Sequence, residues 1–326
     1  MLTRRRFQVF ITPLFFLAAI FIFPSIADAQ PTARIDGGLF YFPPSQSLLM
    51  LGGWGEANNW QAYQEVWALS AAGWNALTDM PIGMTHTSAA YDPINMRLVA
   101  MTGVFSNQAD TYAYDGAAWK KIVDQPIFPN EFSYDPELIF DASLGKIVLL
   151  YGNGTDSKTY ILQDSSWTAL DLNPHPPAAY DAVFVYDEKR LEGVLFTGQE
   201  TWIWKNQSWT KKSPAHSPSC GPGDFNMVFD SARGVVVLFA KGQQTWTWDG
   251  ADWTQLHPAN SPPNAGRGFF AMGYDPNRSV AVIYGGEIIT DPVNYSAEYY
   301  DDIWEWDGVD WRLFTPGTPV SEWSLF

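Results

Sequence analysis

Residues 245 to 248 read Thr-Trp-Thr-Trp, small polar alternating with large apolar. In an extended chain this period of two puts Trp246 and Trp248 on one side and the threonines on the other. Asp249-Gly250-Ala251-Asp252 follows, a turn composition in which glycine tolerates left-handed backbone. A four-residue connection sets Trp253 opposite Trp248, so the hairpin carries three tryptophans on one face, where cross-strand pairs stabilise. Upstream, residues 225–229 (FNMVF) and 235–239 (VVVLF) are apolar runs of strand length around another turn. The pattern predicts four short antiparallel strands.

The same unit recurs. An aromatic residue precedes a tryptophan by seven positions at Trp67/Trp74, Tyr112/Trp119, Tyr160/Trp167, Trp202/Trp209, Trp246/Trp253 and Trp304/Trp311. Upstream of each pair stands a second aromatic anchor, usually followed by Asp: Tyr41, Tyr91, Phe140, Tyr186, Phe229 and Tyr274. Four-stranded units at this period predict an all-β fold, a six-bladed antiparallel β-propeller. The expected blades cover approximately 35–80, 84–125, 134–173, 180–215, 224–259 and 268–315. In that fold Trp74, Trp119, Trp167, Trp209, Trp253 and Trp311 are structural anchors between blades. The first and last repeats each contain an inner strand of their own, so the ring is expected to close through side chains, without SEWSLF (321–326) adding a strand to the first blade.

The Tyr-Asp anchors, the Gly pairs Gly52-Gly53 and Gly285-Gly286, and the aromatic-to-tryptophan hairpins resemble kelch repeats, in the style of bacterial secreted propellers and the central domain of galactose oxidase. The resemblance covers residues 35 to 314. Its departures are local: Phe42-Pro43 replaces the Asp turn in the first repeat, and only the first and last repeats keep the Gly pair. What it implies beyond the fold is mixed. Galactose oxidase holds copper with two Tyr and two His, but no Tyr-His dipeptide occurs here. The kelch-type sialic acid mutarotases need only an acid and a base in a pocket; Arg34, Arg267, Glu131 and Asp181 are linker candidates for that role. Catalytic residues are otherwise not assigned.

Residues 1–29 lie outside the repeats. Arg4, Arg5 and Arg6 precede an apolar stretch from about Val9 to Phe23, and Ala27-Asp28-Ala29 is a small-x-small cleavage signal. This reads as a secretory signal peptide cut before Gln30, with an uncleaved membrane anchor as the other reading. Thr3-Arg4-Arg5-Arg6-Phe7 also resembles a twin-arginine export signal. The expected location is periplasmic or extracellular, with no stable membrane anchor after cleavage. The formal charge of −16 repels phosphate backbones, so nucleic acid is not an expected partner. A single cysteine, Cys220, leaves no intramolecular disulfide, and stability must come from packing. The chain is expected to be monomeric.

Function is expected on the variable connections. The turns inside each hairpin pair are short and uniform. Two connections between second and third strands are long, residues 54 to 65 and 287 to 302, and ring closure makes their blades neighbours. Trp54, Trp60, Tyr63, Tyr295, Tyr299 and Tyr300 are candidate stacking groups. Asn58, Asn59, Gln61 and Asn294 are candidate hydrogen-bonding groups. Together they suit a glycan or protein ligand; the alternative is that the two loops pack on each other and clasp the ring. The last loop also holds Glu287, Asp291, Glu298, Asp301 and Asp302, an oxygen-rich set that Ca²⁺ could use, though without EF-hand spacing. All four histidines (His86, His175, His216, His257) fall in linkers between blades, where convergence on a metal competes with simple turn positions; no metal and no cofactor is expected. The function read from the sequence is a binding scaffold, with a carbohydrate-active enzyme such as an epimerase or mutarotase as the alternative.

Overall fold

Trp248 and Trp253 face each other across the predicted turn, and Asp249 closes that turn by accepting hydrogen bonds from the backbone N–H of Ala251 and Asp252. The computed structural model describes residues 30–101, 110–123, 136–152, 157–177, 181–263, 266–291, 293–294 and 296–316. Within them, six four-stranded antiparallel sheets follow one another along the chain: blade 1 (35–76), blade 2 (88–123), blade 3 (137–170), blade 4 (183–211), blade 5 (225–256) and blade 6 (271–313). The protein is a six-bladed β-propeller. The first strand of each blade lies innermost: Ile35–Phe42, Ser88–Asp92, Glu137–Asp141, Val183–Asp187, Phe225–Asp230 and Ala271–Asp275. Blade 6 carries one addition. Residues expected as a long loop form a hairpin, Glu287–Asp291 paired with Ser296–Tyr299, inserted between its second and third strands.

Six hydrophobic clusters occupy the six inter-blade spaces, each with one anchor tryptophan. Trp253 of blade 5, for instance, packs with Val194 and Phe196 of blade 4. A sheet that is apolar on both faces must bury both, and radial stacking does so. Two polar devices repeat with the packing. The indole N–H of each later anchor reaches back to a threonine of the preceding blade: Trp167 to Thr111, Trp209 to Thr159, Trp253 to Thr201 and Trp311 to Thr245. The tyrosine before the buried Asp donates to the Asp of the blade before it, Tyr186 to Asp141 and Tyr274 to Asp230. Each Asp also caps its own turn. The Tyr-Asp pair thus joins neighbouring blades while closing a turn.

Blades 6 and 1 meet through Leu39, Leu48, Tyr284 and Ile303. Their inner strands belong to separate sheets, so among the described residues no strand is exchanged; residues 321–326 lie outside them. Asn277 of blade 6 donates to the Tyr41 hydroxyl of blade 1 at 2.9 Å. The Gly pairs explain themselves at this seam. Gly53 (φ 87°) and Gly286 (φ 93°) lie in left-handed backbone. A Cβ there would meet the backbone carbonyls of Ile35 and Gly268, each at 2.7 Å, with the Arg34 and Arg267 side chains close behind at 3.2 and 3.3 Å. Only blades 1 and 6 carry these arginines, and only they keep the pair.

Candidate functional site

The linkers and the connections between second and third strands share one face of the ring. At the mouth of the axis on that face, the residues leading into the inner strands take left-handed backbone: Asp36, His86, Asp181, Gly223 and Phe269. Backbone hydrogen bonds link four of them from blade to blade, His86 N–H to Asp36 O, Asp36 N–H to Phe269 O and Phe269 N–H to Gly223 O. Asp36, His86 and Asp181 line a small pocket of about 90 Å³ together with Thr87, Glu137 and Asn226. Beneath it the axis widens into a lumen of about 940 Å³.

Burial governs the charges here. It lifts the Asp36 carboxyl to about 7; the hydrogen bond from Trp54 opposes that rise, and Asp181 and Glu287 add to it. Burial also raises Glu137 well above the usual range, against the hydrogen bond it accepts from the Phe184 N–H of blade 4, with Asp181 adding to the rise. His86 is lowered by burial, opposed by Asp181, and stands 3.6 Å from Asp36. At neutral pH the mouth holds a neutral imidazole facing a carboxyl poised between its two forms.

An aromatic wall rises from Asp36. The Trp54 indole N–H donates to Asp36 Oδ2 at 2.6 Å. The Trp54 ring meets Trp60 edge to face at 5.7 Å, and Trp60 meets Tyr299 of the blade 6 hairpin at 5.8 Å. Tyr299 donates to Glu287, and burial together with Glu287 and Glu56 pushes its phenol up to about 12. Trp60 remains 47% exposed. The two long connections therefore do come together across the seam.

The other expected site residues are placed differently. Tyr63 is only 6% exposed, stacked against the buried Arg34 guanidinium at 4.0 Å. Tyr300 does the same for Arg267 at 4.1 Å. These two rings support arginines and are not part of the exposed wall; sequence spacing could not separate them from Trp60 and Tyr299 because each sits in an irregular connection. Asn58 donates to Gln61 O and Asn294 to Asp291, so each braces its own turn. Asn59 and Gln61 are exposed beside Trp60. Tyr295 and Glu131 lie outside the described residues. Of the linker candidates for acid–base work, Asp181 lines the mouth, whereas Arg34 binds Glu65 and Arg267 binds Asp302, both arginines buried.

The acidic last loop does not converge. Glu287 faces Tyr299, Asp291 caps its turn, Asp301 accepts from Gln30, and Asp302 takes Arg267 and Trp304. His216 pairs with Asp252 and His175 contacts Pro176 O, both apart from His86. Among the described residues no group of metal-capable side chains forms. Burial, with Asp224 adding, pushes the Cys220 thiol up to about 12, far from nucleophile chemistry. Asp36 and Glu137 escaped the sequence reading, although Asp36 and Asp181 share one position, five residues before the aromatic anchor.

No family model matches the chain, and no curated protein is significantly similar to it. Solved structures are. One, described as the structure of YjhT, superposes with a TM-score of 0.60 at 12% identity, covering 88% of this chain and 99% of that one. Another, the SapL1 lectin in complex with alpha methyl fucoside, superposes with a TM-score of 0.56 at 13% identity, covering 89% and 98%. At these identities the likeness is one of fold: this chain is built as a β-propeller like both.

Proposed function

We propose that this chain is an exported kelch-type propeller that binds a carbohydrate on the aromatic wall at the seam of blades 1 and 6. The observation that carries the reading is the Trp54–Trp60–Tyr299 arrangement. An indole that is 47% exposed yet held by two aromatic edges is pre-ordered for stacking on a sugar face. Asn59, Gln61 and Glu56 beside it supply hydrogen-bonding groups for hydroxyls. A propeller of similar fold is a lectin solved with a fucoside, which supports a sugar as ligand over a peptide. The test is a glycan array on the purified protein, followed by titration of the best hit against Trp60→Ala. Retention of full affinity by that variant removes the wall from the site. Mass spectrometry of the exported protein tests the signal peptide, with Gln30 expected at the N-terminus.

One observation favours a second reading, a sugar epimerase or mutarotase. Asp36 at about 7, 3.6 Å from His86, is suited to passing a proton at neutral pH. Anomer exchange of the bound sugar, followed by NMR, would be accelerated by the protein and lost in Asp36→Asn.

A further inference from the structure

The wall occupies only the rim of the axis; the lumen beneath it has a different chemistry. One position of each inner strand, immediately before the aromatic anchor, builds a belt around it: Phe40, Ala90, Ile139, Val185, Val228 and Gly273. No polar side chain interrupts that belt. At the linker-face end stand Asp36, Glu137 and Asp181. Of the described residues lining the lumen and its mouth, four are acidic, these three and Glu188, and none is Lys or Arg. Asp181 Oδ2 is shut off from solvent and has no hydrogen-bond partner among the described residues. A volume of about 940 Å³ falls within the range of small-molecule sites.

We propose that the axial lumen binds an amphipathic organic amine, its ammonium group held by Asp36, Glu137 and Asp181 and its apolar body lying along Phe40, Ile139, Val185 and Val228. An ammonium group supplies the positive charge that the lining does not contain. The hydrocarbon body removes its own surface from water against the belt, at roughly 25 cal/mol per Å². An anion of the same shape meets only carboxylates, and a neutral alcohol gains the belt without the charge.

The protonation of the mouth fits this ligand. Asp36, Glu137 and Glu287 all have raised carboxyl pKa values, chiefly through burial. A cation favours their ionised forms, so binding expels protons and tightens as pH rises through about 7. The titratable groups lining the mouth are Asp36, His86, Glu137 and Asp181, beside the neutral Asn226, and Glu287 of blade 6 acts on Asp36 without lining the mouth itself. His86 is lowered by burial and adds no competing charge near neutrality.

The reading does not rest on sugar binding at the wall, and the experiment separates the two. Calorimetric titration of the purified protein with octylammonium, octan-1-ol and octanoate at pH 8 is expected to show octylammonium binding at least tenfold tighter than the alcohol, with octanoate weakest. Asp181→Asn is expected to cost octylammonium at least tenfold and to leave the alcohol unchanged, with a thermal melt confirming the fold. Alcohol binding as tightly as the amine, or no amine binding at all, overturns the proposal whatever the glycan array shows. If Asp181→Asn does not fold, the three-ligand series on the unaltered protein still decides.

Discussion

Trp253 of blade 5 donates its indole N–H to the Thr201 hydroxyl of blade 4 at 2.9 Å, with both side chains buried. The contact joins packing and polar satisfaction in one residue pair. Trp253→Ala is expected to destabilise by about 3–5 kcal/mol, as large aromatic truncations in cores do. Thr201→Val keeps the shape and strands the indole N–H, for an expected loss of about 1–3 kcal/mol. Urea melts of the two single variants and the double variant check this. If the double variant loses the plain sum of the two, the hydrogen bond contributes nothing.

The seam lacks that bond. The threonine position of blade 6 is Ile303, and the Trp74 indole N–H of blade 1 has no partner among the described residues. Thr and Val are near isosteres, so Ile303→Val and Ile303→Thr lose similar packing, but only Thr offers Trp74 an acceptor. Ile303→Thr is expected to be more stable than Ile303→Val by about 1 kcal/mol. Equal melts would show that Trp74 does not need the bond.

Asp36 sets a pH dependence. Its folded carboxyl titrates near 7 against 3.8 as the ordinary value. A carboxyl raised on folding holds its proton more tightly in the folded state. Its cost is therefore absent below about pH 4, grows between about 4 and 7, and is complete above 7. Asp36→Asn removes it while keeping an acceptor for Trp54. The variant is expected to gain stability relative to the parent at pH 8 and to show little or no gain at pH 4, by an amount on the order of a few kcal/mol. Denaturant melts at the two pH values read the difference. A gain independent of pH would mean that Asp36 titrates normally.

Trp60 and Tyr63 are three residues apart and should behave in opposite ways. Trp60→Ala is expected to lower glycan affinity at least tenfold with almost no change in melting temperature, as exposed binding aromatics do. Tyr63→Ala uncovers the buried Arg34 guanidinium and is expected to lower the melting temperature clearly. A destabilised Trp60→Ala with unchanged binding would make the wall a clasp for the ring.

Much of the ring was legible because its repeats are periodic. The seven-residue interval between aromatic and tryptophan is the register of a hairpin, visible at Trp246 and Trp253 without any structure. The long connections were visible as irregular interruptions, but their internal form was not. Residues 287–299 alternate too weakly to announce a hairpin, since both its faces are largely solvated. The role of the Gly pairs was equally hidden, because the backbone they admit, at Ile35 and Gly268, lies more than fifteen residues away in sequence.

By itself, then, the chain's pattern determined the blades, their number, their order and the anchors between them, because each follows from local alternation repeated at a fixed period. Which aromatics of the long connections stay exposed was decided only when the ring closed and brought blade 6 against blade 1. The acid mouth belongs to the same class. Asp36, His86, Glu137 and Asp181 are scattered over more than 140 positions, and each looks like an ordinary linker or strand residue. They become one site because a propeller directs the start of every inner strand to a common axis, and burial at that axis sets their protonation.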